Sequence, residues 1–101
     1  MAGGDGPKPP IEDDDICSEL TFEANLQSLN KTVVSGLFPG TELSISVQGK
    51  SVVAKTALGG VVGSVVDHVI QLRTCIEKGF SYKGTVLQFT EGSVRIRVEP
   101  S

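Results

Sequence analysis

Apolar and polar residues alternate along several short stretches of this chain, and this alternation limits the folds that it can adopt. In residues 20–26 every second residue is apolar, and in residues 41–48 Leu43, Ile45 and Val47 alternate with serines. A period of two places the apolar side chains on one face of an extended strand. Both stretches therefore predict β-strands that bury one face.

Four further stretches predict strands, and glycine-containing turns separate several of them. The additional stretches are residues 51–57, 60–66, 82–90 and 93–99. The predicted turns are Gly49-Lys50, Gly59-Gly60 and Glu91-Gly92. Gly63 lies inside a predicted strand, where a missing side chain allows another segment to pack closely. The sequence thus predicts six strands.

One segment, residues 67–79, has the period of a helix instead. Val69, Leu72 and Ile76 are spaced at i, i+3 and i+7 and share one face. Asp67 suits the N-cap and Gly79 suits the position after the last turn. We expect one helix of three turns between the fourth and fifth strands.

Six strands and one helix predict a mainly β (α+β) fold, a small and partly open six-stranded β-barrel. Curling the sheet buries the alternating face and reduces its exposed edges, and the helix would plug the barrel. A two-layer sheet with a helix on one face is the alternative. Residues 16–101 are expected to form this single domain.

Residues 1–15 are predicted to form a disordered, acidic tail rich in proline and glycine. They carry one lysine and five acids, a net charge of −4 against −3 for the whole chain, so residues 16–101 total +1. Such a tail buries too little apolar surface to offset its ordering entropy. The domain itself has no broadly basic character, so any nucleic-acid site must be a local patch.

The cysteine content and the lack of targeting patterns favour a cytoplasmic protein. No signal-peptide pattern and no apolar run of membrane-spanning length occurs in the sequence. Cys17 and Cys75 are too few for a secreted disulfide framework, and buried free cysteines are expected. A disulfide joining Cys17 at the start of the domain to Cys75 in the helix is the alternative.

No catalytic, cofactor or metal site is predicted. The glycines at 59, 60 and 63 lack the Lys-Ser/Thr that ends a phosphate-binding loop. His68 and Cys75 could share a helix side with Cys17 nearby, but the close ligand spacing of zinc sites is missing. We expect no enzyme activity and no cofactor, and the sequence identifies no small-molecule substrate.

The last two predicted strands carry the candidate binding residues. A two-residue turn at 91–92 would place Val86 opposite Arg97, and Leu87 opposite Ile96. The outward face would then show Tyr82, Val86, Gln88, Arg95 and Arg97, with Lys83 close by. Two arginines beside a tyrosine can bind phosphate and stack a base, or anchor a protein interface. An ordinary solvated strand face is the alternative.

Phe38 is a second candidate. It lies between two glycines in residues 35–40, "SGLFPG". Such a loop either presents the ring for recognition or folds it over one mouth of the barrel.

Residues 43–98 resemble the second half of HIRAN-type domains. The similar features are the strand containing Val62, Gly63 and Val65, the short helix that ends before a glycine, and the final strand pair. HIRAN domains are small barrels, found with helicases and nucleases and as separate bacterial proteins. The resemblance implies an OB-like barrel and binding to DNA ends.

These observations predict a non-enzymatic binding module. In the first version, Tyr82, Lys83, Arg95 and Arg97 contact single-stranded or end-exposed nucleic acid. In the second, the chain is a protein–protein adaptor or a homodimer that uses the same face together with Phe38.

Overall fold

A computed structural model describes residues 16–90 and 92–101 of the chain. The predicted acidic tail, residues 1–15, lies outside the described residues. Six strands and three helices follow one another along the described part. The strands are β1 (Phe22–Asn25), β2 (Glu42–Gln48), β3 (Ser51–Lys55), β4 (Val61–Val65), β5 (Tyr82–Thr90) and β6 (Ser93–Pro100). The helices are α1 (residues 16–19), α2 (Lys31–Val34) and α3 (Val69–Glu77).

All six strands form one antiparallel sheet in the order β1-β6-β5-β2-β3-β4. The sheet curls into a half-barrel, which confirms the predicted fold class. Just past β1, Gln27 exchanges two backbone hydrogen bonds with Ser64 of β4, at 2.8 and 2.9 Å. The N–H of Asn30 also donates to Val62 O of β4 at 2.9 Å, so the segment after β1 closes onto the opposite edge of the sheet.

The helix between β4 and β5 is confirmed, but the prediction of a single helix was wrong. Both additional helices have only four described residues, which is too short to show a helical period. The side chain of Asn30 caps α2 by accepting hydrogen bonds from the backbone N–H groups of Thr32 and Val33, at 3.1 and 3.4 Å. The sequence signal for α2 is therefore the capping residue Asn30, and not a helical period of apolar residues.

The inner face of the sheet and one side of α3 form the core. Leu43, Ile96 and Leu72 are almost completely buried there. Gly63 lies where the segment after β1 crosses β4, and a Cβ at this position would be 2.8 Å from the backbone oxygen of Gln27. The predicted packing role of Gly63 is confirmed.

The ends of α3 show one predicted and one unpredicted cap. Gly79 has φ +106°, its N–H donates to Ile76 O, and the N–H of Phe80 donates to Cys75 O, as in a Schellman motif. The predicted N-cap at Asp67 was wrong, because the helix begins after His68, which has φ +55° and gives no side-chain cap. No helix in the described part is long and apolar enough to span a membrane.

A β-bulge at Leu87 changes the predicted faces of β5. The pairs nearest the turn are as expected: Thr90 with Ser93, Phe89 with Val94, and Gln88 with Arg95. Beyond the bulge the register shifts, so Val86 lies opposite Ile96. The predicted pairing of Val86 with Arg97 was therefore wrong, because one extra residue reverses the faces of every residue before it.

Cys17 in α1 and Cys75 in α3 form a disulfide, with their Cα atoms 5.5 Å apart. The expectation of free cysteines was wrong, and the alternative that was left open is the one observed. Their spacing in the sequence, 58 residues, gave no local signal of this contact. The cytoplasmic location stays a prediction.

Candidate interaction site

Three of the four strand residues predicted to bind a partner lie on the outer face of the sheet. Arg95 and Arg97 on β6 and Lys83 on β5 have partly exposed side chains. Tyr82 does not join them: it is 3% exposed and lies in the core. The bulge at Leu87 explains this, since it turns Tyr82 and Val86 inward.

Carboxylates neutralise much of the positive charge on this outer face. Arg95 donates from Nε to Glu23 Oε1 at 3.1 Å, and its Nη1 donates to Asn25 Oδ1 at 3.3 Å. Glu23 Oε2 also lies 3.8 Å from Arg97 Nη2. Lys83 Nζ lies 3.6 Å from Glu42 Oε2. The face is therefore a network of ion pairs between neighbouring strands.

The hydroxyl of Tyr82 has a structural partner inside the fold. It donates a hydrogen bond to the backbone oxygen of Cys17, the residue held to α3 by the disulfide. Burial raises the pKa of Tyr82 above its ordinary value. Tyr82 therefore fastens α1 to the start of β5 and is not available on the outer face to stack a base.

Phe38 is 71% exposed, so the sequence alternative of a presented loop is the one observed. It begins a tight turn through Pro39 and Gly40, where Gly40 has φ +92°. The N–H of Thr41 donates to Phe38 O at 3.0 Å, and the N–H of Phe38 donates to Thr41 Oγ1 at 3.2 Å. Proline followed by a glycine at positive φ is the pattern of a type II turn.

The same turn is attached to the sheet next to the bulge. The N–H of Gly40 donates to Val86 O at 2.7 Å, and the N–H of Val86 donates to Thr41 O at 2.9 Å. Four backbone or side-chain hydrogen bonds thus hold the turn of residues 38–41, which we call the Phe38 turn. The exposed ring of Phe38 therefore belongs to a turn whose backbone is held in place by these hydrogen bonds.

The structure also has an open groove of about 600 Å³, and its lining residues are close in sequence to Phe38 and to Val86. Val34 and Ser35 at the end of α2 form one wall, and Phe89 and Thr90 at the end of β5 form the other. Lys31 and Gly92 also line it. Phe38 follows Ser35 by three residues, and Val86, which holds the turn, precedes Phe89 by three.

Cys75 and His68, which were considered from the sequence as metal ligands, have structural roles. Cys75 is bound in the disulfide, and the ring of His68 packs on Phe22 with their centroids 4.6 Å apart. Within residues 16–90 and 92–101, no three His, Cys, Asp or Glu side chains cluster as metal ligands.

The groove and the attachment of the Phe38 turn to β5 were not predicted from the sequence. The Pro-Gly pair and the asparagine three residues before Val33 were local signals for the turn and for α2. The groove had no such signal, because it forms only when α2 and the end of β5 come together.

No protein-family model, curated protein or solved structure matches this chain. The resemblance to HIRAN-type domains therefore stays a prediction.

Proposed function

We propose that this chain is a non-enzymatic module that binds an extended segment of another protein. The observation that supports this most is Phe38, a large apolar side chain that is 71% exposed on a turn fixed by hydrogen bonds at both ends. Interface energy concentrates in a few such aromatic anchors. A turn that is already ordered also loses little conformational entropy on binding.

The groove between the ends of α2 and β5 indicates the chemistry of the partner. Val34 and Phe89 give it an apolar surface, and Lys31 adds a positive charge to its lining. Among the residues that the structure describes, no carboxylate forms an ion pair with Lys31. A segment that carries apolar side chains next to an acidic one would satisfy both features.

Nucleic-acid binding through Lys83, Arg95 and Arg97 is the weaker proposal. Binding phosphate would require these side chains to exchange the carboxylates of Glu23 and Glu42 for the ligand. The buried Tyr82 could not add stacking energy without leaving the core. Few free cations remain on this face to drive binding by counterion release.

Selection from a library of short random peptides on the immobilised full chain tests the protein-binding proposal. We expect enriched peptides to combine apolar and acidic residues and to bind wild type. Phe38→Ala should weaken their binding by about 2 kcal/mol, or roughly 30-fold, as for an aromatic hot spot.

Ile70→Ala is the matched control, because Ile70 is an equally exposed apolar residue (77%) on α3, away from the groove. It should leave peptide binding unchanged. Failure to enrich any peptide, or equal losses from the two substitutions, would contradict the proposal.

A labelled single-stranded oligonucleotide tests the competing function. The proposal predicts no measurable binding at about 50 mM salt, and hence no loss on raising the salt to about 200 mM. Tight binding that weakens with salt and is lost in Arg95→Gln would favour the nucleic-acid function instead.

A further inference from the structure

The disulfide joins a segment outside the sheet to the helix that covers the core. Residues 16–19 form α1 and belong to none of the six strands. Cys17 is held by its bond to Cys75 and by the hydrogen bond from the Tyr82 hydroxyl to its backbone oxygen. Neither cysteine is among the paired residues of β1, β2, β5 and β6.

A small notch gives access to this disulfide. It has a volume of about 160 Å³, and its lining includes Cys17, Cys75, Thr74 and Lys78. The two cysteines are only 2% exposed, and a small reagent that enters the notch would meet both residues.

We propose that Cys17–Cys75 is a thiol-operated latch, which holds α1 against α3 and Tyr82 when oxidised and releases α1 when reduced. This inference is independent of the proposed binding function.

The chemistry requires a dithiol reductant. One thiolate of the reductant attacks one sulfur of the protein disulfide, and the other sulfur leaves as a thiolate that takes up a proton. The second thiol of the reductant then displaces the protein sulfur from the mixed disulfide. The protein gains two electrons and two protons, and the reductant becomes a cyclic disulfide.

Release of α1 would uncover Tyr82 at the start of β5. The hydroxyl would lose its acceptor on Cys17, and Tyr82, which is 3% exposed in the oxidised protein, would lose this neighbour. The chain contains one tyrosine and no tryptophan, so its intrinsic fluorescence reports on this residue alone.

Acrylamide quenching of tyrosine fluorescence, with and without dithiothreitol, tests the latch in the full chain. We expect the oxidised protein to resist quenching and the reduced protein to be quenched several-fold more strongly. The far-ultraviolet circular dichroism of the sheet should be retained. Hydrogen exchange should rise in α1 and around Cys75 and stay unchanged in β2, β3 and β6.

The Cys17→Ser, Cys75→Ser double variant should be quenched like the reduced protein and should not respond to dithiothreitol. Three results would overturn the proposal: no free thiols after treatment of the folded protein, free thiols with Tyr82 still protected, or loss of the sheet signal on reduction. If the double variant fails to fold, the outcome again counts against a local latch.

Discussion

Two aromatic side chains, one at the start of β5 and one on a turn bonded to the middle of β5, have opposite environments. Tyr82 begins the strand, is 3% exposed, and donates a hydrogen bond to Cys17 beside the disulfide. Phe38 is 71% exposed on a turn that Val86 holds, close to where the strand passes its bulge. Specific bonds hold both regions in place. Those around Tyr82 keep its ring in the core, whereas those in the Phe38 turn hold a backbone whose phenylalanine ring is exposed to solvent. The difference separates the part of the molecule that holds the fold from the part that is available for contact.

The largest expected effect is in the region of Tyr82. Replacing both cysteines by serine should lower the free energy of unfolding by about 4 kcal/mol in the chain-entropy estimate for a loop of 58 residues. Urea unfolding of the oxidised wild type and the double variant measures this difference. A loss below about 1 kcal/mol would mean that the disulfide contributes little to the fold.

A smaller effect is expected in the Phe38 turn. Gly40→Ala places a side chain at φ +92° and should cost about 1–2 kcal/mol, measured by urea unfolding. No atom lies within 4 Å of the added Cβ, so the cost would come from the backbone alone. Gly36→Ala is the control, because Gly36 lies in the same loop without a positive φ. Equal costs for the two variants would contradict the type II turn.

Removal of the Tyr82 hydroxyl should cost about 1 kcal/mol, because Tyr82→Phe breaks one buried hydrogen bond to Cys17 and leaves the ring in place. The measurement is again urea unfolding near neutral pH. A cost within error of zero would show that the hydroxyl bond does not fasten α1.

The pH dependence of stability also distinguishes Tyr82 from Phe38. Burial raises the pKa of Tyr82 in the folded protein, whereas the unfolded chain releases this proton near pH 10.0. The folded state therefore holds more protons above that pH, and stability is retained below pH 10.0 and falls as the pH rises further. Tyr82→Phe should remove this part of the alkaline loss, and Phe38→Ala should not. Parallel curves for wild type and Tyr82→Phe would contradict the burial of the hydroxyl.

The smallest effect is expected on the outer strand face. Arg95→Gln removes an exposed ion pair with Glu23 and should change stability by about 0.5 kcal/mol. A double-mutant cycle with Glu23→Gln measures the pairing directly. A coupling well above about 1 kcal/mol would show that this face contributes to the fold as strongly as the region of Tyr82.

Local features of the molecule were predictable from the sequence, and features that depend on distant contacts were not. The alternation of residues predicted all six strands, and Gly79 predicted the end of α3, because each acts within a few residues. The bulge at Leu87 was not visible, since either face of β5 offers apolar side chains. Because the predicted register contained no bulge, it placed Tyr82 on the outer face, where it became a candidate for binding.

The candidate site was predictable only in part, for the same reason. The residues from Ser35 to Gly40 were recognised as a loop that could present Phe38, but the exposure of the ring depends on bonds to Val86, far along the chain. The ion pairs that occupy Arg95 likewise require Glu23 on a neighbouring strand. The groove needs α2 and β5 together.

The most direct test of the account is to measure both stability and peptide binding for Phe38→Ala. We expect a free energy of unfolding within about 0.5 kcal/mol of wild type, as for an exposed residue. We also expect roughly 30-fold weaker binding of a selected apolar and acidic peptide. A loss of stability of about 3 kcal/mol or more, typical of a buried phenylalanine, or unchanged binding would contradict the claim that this ring is presented to a partner.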